Sequence, residues 1–172
     1  MLYHLLYPLH TDLNFLNVFR YITFRSIGAA VTAFLIMVVF GPLFIRTMRR
    51  FQIGQVVRDD GPATHLAKQG VPTMGGVLII AAITLGTLLW ARLDGMMVWL
   101  GVFITLFYGG IGCIDDMRKI KKKNSKGLSA KGKLILQLVG ASVVGMCIYL
   151  HPGFDGHLSF PFFKNLRPDL GW

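Results

Sequence analysis

Apolar residues along the chain fall into four long uncharged runs, residues 26–45, 70–91, 95–114 and 134–150, and they do not alternate with polar ones. Runs of this length cross about 30 Å of hydrocarbon as helices. A bilayer offers no water to pair backbone N–H and C=O groups. Runs without the period-two alternation of barrel strands can satisfy those groups only as helices. The pattern predicts an all-α, polytopic helical membrane protein with four transmembrane helices, at about 24–45, 71–91, 95–114 and 134–151. Arg92 and Asp94 leave hardly any connector before Gly95, so the second and third spans read as a tight helical hairpin. The long connections are 46–70 and 115–133.

The ends of the chain are patterned differently. Phe15, Leu16, Phe19 and Ile22 recur at helical spacing, which suits either a segment lying along the outer interface or a frayed lead-in to the first span. Residues 1–10 have no basic n-region and carry an early Pro8, so a cleaved signal peptide is not expected and the first span should remain as an anchor. After His151 comes a polar, proline-punctuated tail, 152–172, that ends on Leu170-Gly171-Trp172. A Trp there suits the start of another span, so the sequence reads as cut off mid-fold.

Composition agrees with the pattern. Of the 172 residues 53% are hydrophobic and 15% charged, with mean hydropathy +0.56, where a soluble domain carries roughly a quarter charged residues. Lys and Arg number 18 against 8 acids, all of them Asp, for a formal net charge of +10. Thirteen of those 18 basic residues lie in the two long connections. The positive-inside rule then makes both connections cytoplasmic and both termini periplasmic. No aromatic platform is interleaved with the basic residues, so anionic lipid heads and phosphate substrates explain the charge better than nucleic acid does. Cys113 and Cys147 lie in apolar runs with no metal-type spacing.

Two clusters carry candidate chemistry. At the end of the third span stands Gly109-Gly110-Ile111-Gly112-Cys113-Ile114-Asp115-Asp116. Adjacent carboxylates at a membrane edge repel each other and are costly to desolvate unless a cation holds both ionised. Mg²⁺ suits this site, because it takes few protein oxygens and shares phosphate oxygens with a substrate. Alternatively, Asp115 and Asp116 simply end the span and pair with Arg118 and Lys119. The second cluster is His65, Lys68 and Pro72-Thr73-Met74-Gly75-Gly76, before the second span. Pro72 fits a first helical turn, whose free N–H groups attract anions, and Lys68 and Thr73 are placed to hold a phosphate or a uridine-like group. The plainer alternative is a helix start with a packing glycine pair. Topology brings both clusters to the cytoplasmic ends of their spans, where they can share one cleft. Lys119, Lys131 and Lys133 lie nearest the spans within the lysine-rich connection. Arg25 suits snorkelling to the interface, and Gln137 and Ser142 suit interhelical hydrogen bonds.

Taken together, Gln55-Val56-Val57-Arg58-Asp59-Asp60-Gly61-Pro62, His65, Lys68, Pro72 to Gly76, Asp115-Asp116, and Lys126-Gly127-Leu128 with Lys131 resemble the phospho-N-acetylmuramoyl-pentapeptide-transferases of bacterial peptidoglycan synthesis. These are polyprenyl-phosphate N-acetylhexosamine-1-phosphate transferases, multi-pass enzymes of the bacterial inner membrane. The resemblance implies transfer of phospho-N-acetylmuramoyl-pentapeptide from UDP to undecaprenyl phosphate with Mg²⁺, giving lipid I and UMP. By the same resemblance Asp115 is base or nucleophile and Asp116 positions metal or diphosphate. Lys68, Thr73 and His65 then bind substrate, with Lys119 and Lys131 as further phosphate contacts, and a homodimer is expected. The match corresponds to about the N-terminal half of such an enzyme. Its third aspartate, shared with Asp115 and Asp116 at the metal, and its later loops have no counterpart here, so the 172-residue polypeptide alone is expected to be inactive. A sibling using UDP-N-acetylglucosamine and a non-catalytic membrane scaffold are the competing readings.

Overall fold

The computed structural model describes residues 1–50, 74–122, 127–157 and 168. Among these, helices dominate. A short helix α1 (Leu2–Leu6) and two 3-10 segments (Tyr7–Thr11 and Asn14–Arg20) lead into α2 (Ile22–Arg50), α3 (Gly75–Trp90), α4 (Met96–Lys122) and α5 (Ala130–Tyr149). Helices α2, α4 and α5 are long and apolar enough to cross a membrane, while α3 is a shorter apolar helix of 16 residues. The expected second span, 71–91, begins outside the described residues. The all-helical class expected from the hydrophobic runs is what forms, and three helices extend past the uncharged runs that define them.

The largest extension carries the chemistry. Helix α4 runs on past Ile114 through the carboxylate pair to Lys122, where the sequence pattern expected a connection to begin. Lys119 stands one turn after Asp115 and pairs with it, an i, i+4 arrangement that supports helix over this charged stretch. Lys119, Lys121 and Lys122 also fill the last turn, where the helix dipole favours cations. Helix α5 likewise starts before its apolar run, because Ser129 caps it by accepting the Gly132 N–H at 3.2 Å.

Glycines set the helix-to-helix contacts. A Cβ added at Gly28 would lie 2.6 Å from the Trp90 ring, and one at Gly86 would lie 2.7 Å from the Ala29 carbonyl oxygen, so α2 and α3 meet backbone to backbone. Gly109 on α4 receives Ile80 of α3, and Gly140 on α5 receives the Phe107 ring of α4. Tyr108 Oη donates to the Gln137 carbonyl at 2.8 Å. The interhelical bond expected of Gln137 is therefore made through its main chain.

Little of this surface is covered within the chain. The buried apolar residues are Leu16, Phe19, Ala82, Val102 and Ile111, whereas Phe34, Val39 and Leu138 are more than half exposed. In water such a surface would drive aggregation, but in hydrocarbon it carries no penalty. The amphipathic lead-in is an ordered 3-10 segment, with Leu16 and Phe19 turned inward and Phe15 turned out. At that end of the molecule Phe19 stacks on Trp90, and Phe24 meets both rings edge to face.

Candidate functional site

The site is assembled where the far end of α4 meets the lead-in to α5. Asp115 is the buried charged residue of the described chain, 8% exposed. A carboxylate in that position is costly unless its oxygens are satisfied. Its Oδ1 accepts the Leu128 backbone N–H at 2.7 Å, and its Oδ2 lies 2.6 Å from Lys119 Nζ. Lys119 Nζ also reaches Asp116 Oδ1 at 3.3 Å, so one ammonium bridges the two carboxylates. Lys133, in the first turn of α5, adds positive charge that Asp115 feels. Asp116 and Lys119 remain partly exposed, at 35% and 38% of their side chains, which leaves the cluster open on one side.

The local sequence accounts for this arrangement. Residues four apart on a helix share a face, so Asp115 and Lys119 meet side by side, with Asp116 one position round. Gly127 has no side chain, which allows the 127–128 backbone to close onto Asp115. A Cβ there would overlap Asp115 Oδ1 and would lie 2.7 Å from its Cγ and 2.9 Å from Lys119 Cε. Ser129 then starts α5 directly after the contact.

The pairing with Lys119 that belongs to the alternative reading is present, while no contact to Arg118 joins it among the described residues and the Asp pair does not end the helix. Lys131 lies exposed on the first turn of α5. His65, Lys68 and Thr73 lie outside the described residues, as do Pro72 and the charged segment before it. Helix α3 begins at Gly75, and its N-cap Met74 takes a left-handed conformation with φ 72°. A non-glycine residue rarely adopts that conformation, and it makes the entry to α3 a sharp turn. Among the described residues nothing lies within 4 Å of a Cβ added at Gly75 or Gly76. The contact that residue-type reasoning missed is the Leu128 N–H. Its trace in the sequence is a glycine two places before a capping serine.

The donor set fits a hard divalent cation in kind: carboxylate oxygens, each with lone pairs beyond those that Leu128 and Lys119 engage. Among the described residues no third His, Cys, Asp or Glu joins the pair. Two carboxylates and a bridging lysine form a partial site, of the type that Mg²⁺ completes with water and substrate phosphate.

An apolar helical bundle carrying a carboxylate–lysine cluster at a helix end defines a helical membrane protein with a charged site at one helix end. The comparisons with known proteins narrow the class. Residues 68–80 match the model for phospho-N-acetylmuramoyl-pentapeptide-transferase signature 1. The phospho-N-acetylmuramoyl-pentapeptide-transferase of Desulfotalea psychrophila is 66% identical over 172 residues, which is 100% of this chain and 48% of that protein. The relatives of the same name from Syntrophus aciditrophicus and Pelobacter propionicus are 54% and 52% identical, over 100% and 99% of this chain and 48% of each relative. The chain thus spans about half the length of the curated relatives it matches. Over its whole length it is similar to the N-terminal half of the phospho-N-acetylmuramoyl-pentapeptide-transferases.

Proposed function

We propose that this chain supplies one half of the active site of an enzyme that transfers phospho-N-acetylmuramoyl-pentapeptide from its UDP carrier to undecaprenyl phosphate, forming lipid I and releasing UMP. The observation that carries this reading is the bridged Asp115–Lys119–Asp116 cluster at a helix end, in a chain whose relatives bear that activity in their names. In this reading a phosphate oxygen of the lipid attacks the sugar-bearing phosphorus, and the bond from that phosphorus to UMP breaks. Asp115 takes the proton of the lipid phosphate as base, or attacks the sugar-bearing phosphorus first, expelling UMP, and is then itself displaced from that phosphorus by the lipid phosphate oxygen. Phosphoryl transfer asks the protein mainly for positioning and for cations that offset charge on the phosphates.

Asp115 and Asp116 would hold Mg²⁺ together with a third aspartate outside this chain, and the ion when bound supplies positive charge to the diphosphate. Lys119 and Lys131 contact phosphate, and His65, Lys68 and Thr73 line the nucleotide-sugar side. Residues 46–70 and 115–133 face the cytoplasm, both termini face the periplasm, and the protein is a multi-pass resident of the bacterial inner membrane.

Substrate competition tests the reading. The protein at its native length is given UDP-N-acetylmuramoyl-pentapeptide and UDP-N-acetylglucosamine together, with undecaprenyl phosphate and Mg²⁺, and the lipid products are separated. Muramoyl lipid should form alone. N-acetylglucosaminyl lipid as the main product would move the protein to the sibling activity.

A further inference from the structure

One contact at the cluster comes from the main chain. The Leu128 N–H points at Asp115 Oδ1 from 2.7 Å. It is held there from both sides. On one side Gly127 lies so close to Asp115 and Lys119 that a methyl group would overlap the carboxylate. On the other side Ser129 caps α5, and its carbonyl accepts the Lys133 N–H at 2.9 Å, so the residue after Leu128 is locked into the helix start. The carboxylate has little freedom to retreat, because its second oxygen is engaged by Lys119 at 2.6 Å.

We propose that Gly127 and Leu128 are positioning residues for Asp115: the glycine permits, and the Leu128 N–H makes, a hydrogen bond that fixes the rotation of the carboxylate and keeps its free lone pairs on the open side of the cluster. This inference depends on Asp115 acting in phosphoryl transfer, as proposed above. A carboxyl torsion is broad and roughly two-fold, so a carboxylate held by Lys119 alone can rock about its Cβ–Cγ bond. A second, charge-assisted hydrogen bond from rigid backbone removes that freedom. Reacting groups must sit within about 0.5 Å of productive geometry, and supporting contacts of this kind govern whether they do. The same bond ties the end of α4 to the start of α5, so the 13-residue separation between Asp115 and Leu128 closes at the reacting carboxylate.

The test uses the protein at its native length in lipid nanodiscs and two changes that act differently. Gly127→Ala adds the overlapping methyl. Replacement of Leu128 by its α-hydroxy analogue during cell-free synthesis turns the 127–128 amide into an ester and removes the N–H alone. Both should lower kcat about tenfold or more while KM for UDP-N-acetylmuramoyl-pentapeptide and for undecaprenyl phosphate moves less than about threefold. In the proposal both residues act through Asp115, so a positioning role appears in kcat and a folding defect appears instead as lost active protein. A turnover-independent readout is also available, since Gly127-Leu128 is the one Gly-Leu pair in these 172 residues. A ¹³C-carbonyl glycine, ¹⁵N-leucine label reports Gly-Leu amides, and the signal missing from the ester form is that of Leu128; its proton signal should shift upfield in Asp115→Ala.

Wild-type kcat in the ester variant would overturn the proposal whatever Gly127→Ala does, and so would an amide signal indifferent to Asp115→Ala. A wild-type protein inert toward these substrates would overturn the functional reading and the positioning role with it. The amide signal, read without turnover, separates that failure from an absent hydrogen bond.

Discussion

The two ends of the α3–α4 hairpin are built on opposite principles. At the Asp94 end, contacts are many and mutually redundant. Trp90 stacks on Phe19, meets Phe24 edge to face and donates its indole N–H to Thr32 Oγ1 at 2.9 Å. The N-terminal ammonium donates to the Leu88 carbonyl at 2.9 Å, and His4 Nε2 accepts the Leu93 N–H at 3.2 Å. Tyr3 receives the Arg25 and Arg92 guanidinium groups over its ring. At the Asp115 end, a buried carboxylate depends on one lysine and one backbone N–H. The first end holds helices together. The second keeps a charged group in a fixed place at some cost in stability, which is the expected signature of a working site.

If that division is right, changes at the Asp115 end should be read in turnover and changes at the Asp94 end in stability. The largest effect belongs to Asp116→Asn, which removes a charge from the proposed cation site. Turnover of the native-length protein should fall about a thousandfold, with thermal unfolding in detergent nearly unchanged. An equal loss of folded protein would erase the contrast. Lys119→Met comes next. It leaves a buried carboxylate without its ammonium and takes a cation from the phosphate side, so turnover should drop about a hundredfold and unfolding should shift to lower temperature.

Gly86→Val should do the reverse. Its side chain would press on the Ala29 carbonyl, costing about 1–3 kcal/mol of stability by overpacking, while KM for both substrates stays put in whatever protein remains folded. Trp90→Phe keeps the stacked ring and loses one neutral hydrogen bond, worth about 1 kcal/mol in a thermal or denaturant unfolding curve. The smallest effect is at Asp94, whose carboxyl the Arg92 hydrogen bond lowers from 3.8 to about 2. A lowered folded value means that the contribution is complete above the ordinary carboxylate value and disappears as pH falls through about 2. Asp94→Asn should therefore flatten the acid limb of the stability curve between those values and lower stability at neutral pH by the small amount that an exposed ion pair contributes.

The fold class was legible because uncharged runs of such length have one stable form in hydrocarbon. The carboxylate pair was legible too, since adjacent Asp residues at a membrane edge demand a cation. The extension of α4 to Lys122 was not, because hydropathy marks where lipid contact ends and says nothing of a helix that continues on i, i+4 pairing between Asp115 and Lys119. Nor was the Leu128 N–H legible, because a main-chain donor has no letter of its own and Gly127 alone does not tell what approaches it. The ordered N-terminal segment was open to two readings. Phe15, Leu16, Phe19 and Ile22 show helical spacing, but the partner that buries Phe19 is Trp90, 71 positions later in the numbering. The placement of His65, Lys68 and Thr73 relative to the Asp pair stays a proposal from topology.

The most direct test of the central claim is the rate of UMP release from UDP-N-acetylmuramoyl-pentapeptide, with undecaprenyl phosphate and Mg²⁺, by the native-length protein and by its Asp115→Asn form at matched amounts of folded protein. The account predicts lipid I and UMP in equal amounts from the wild type, and release by Asp115→Asn at background. An Asp115→Asn protein that keeps wild-type turnover would contradict it.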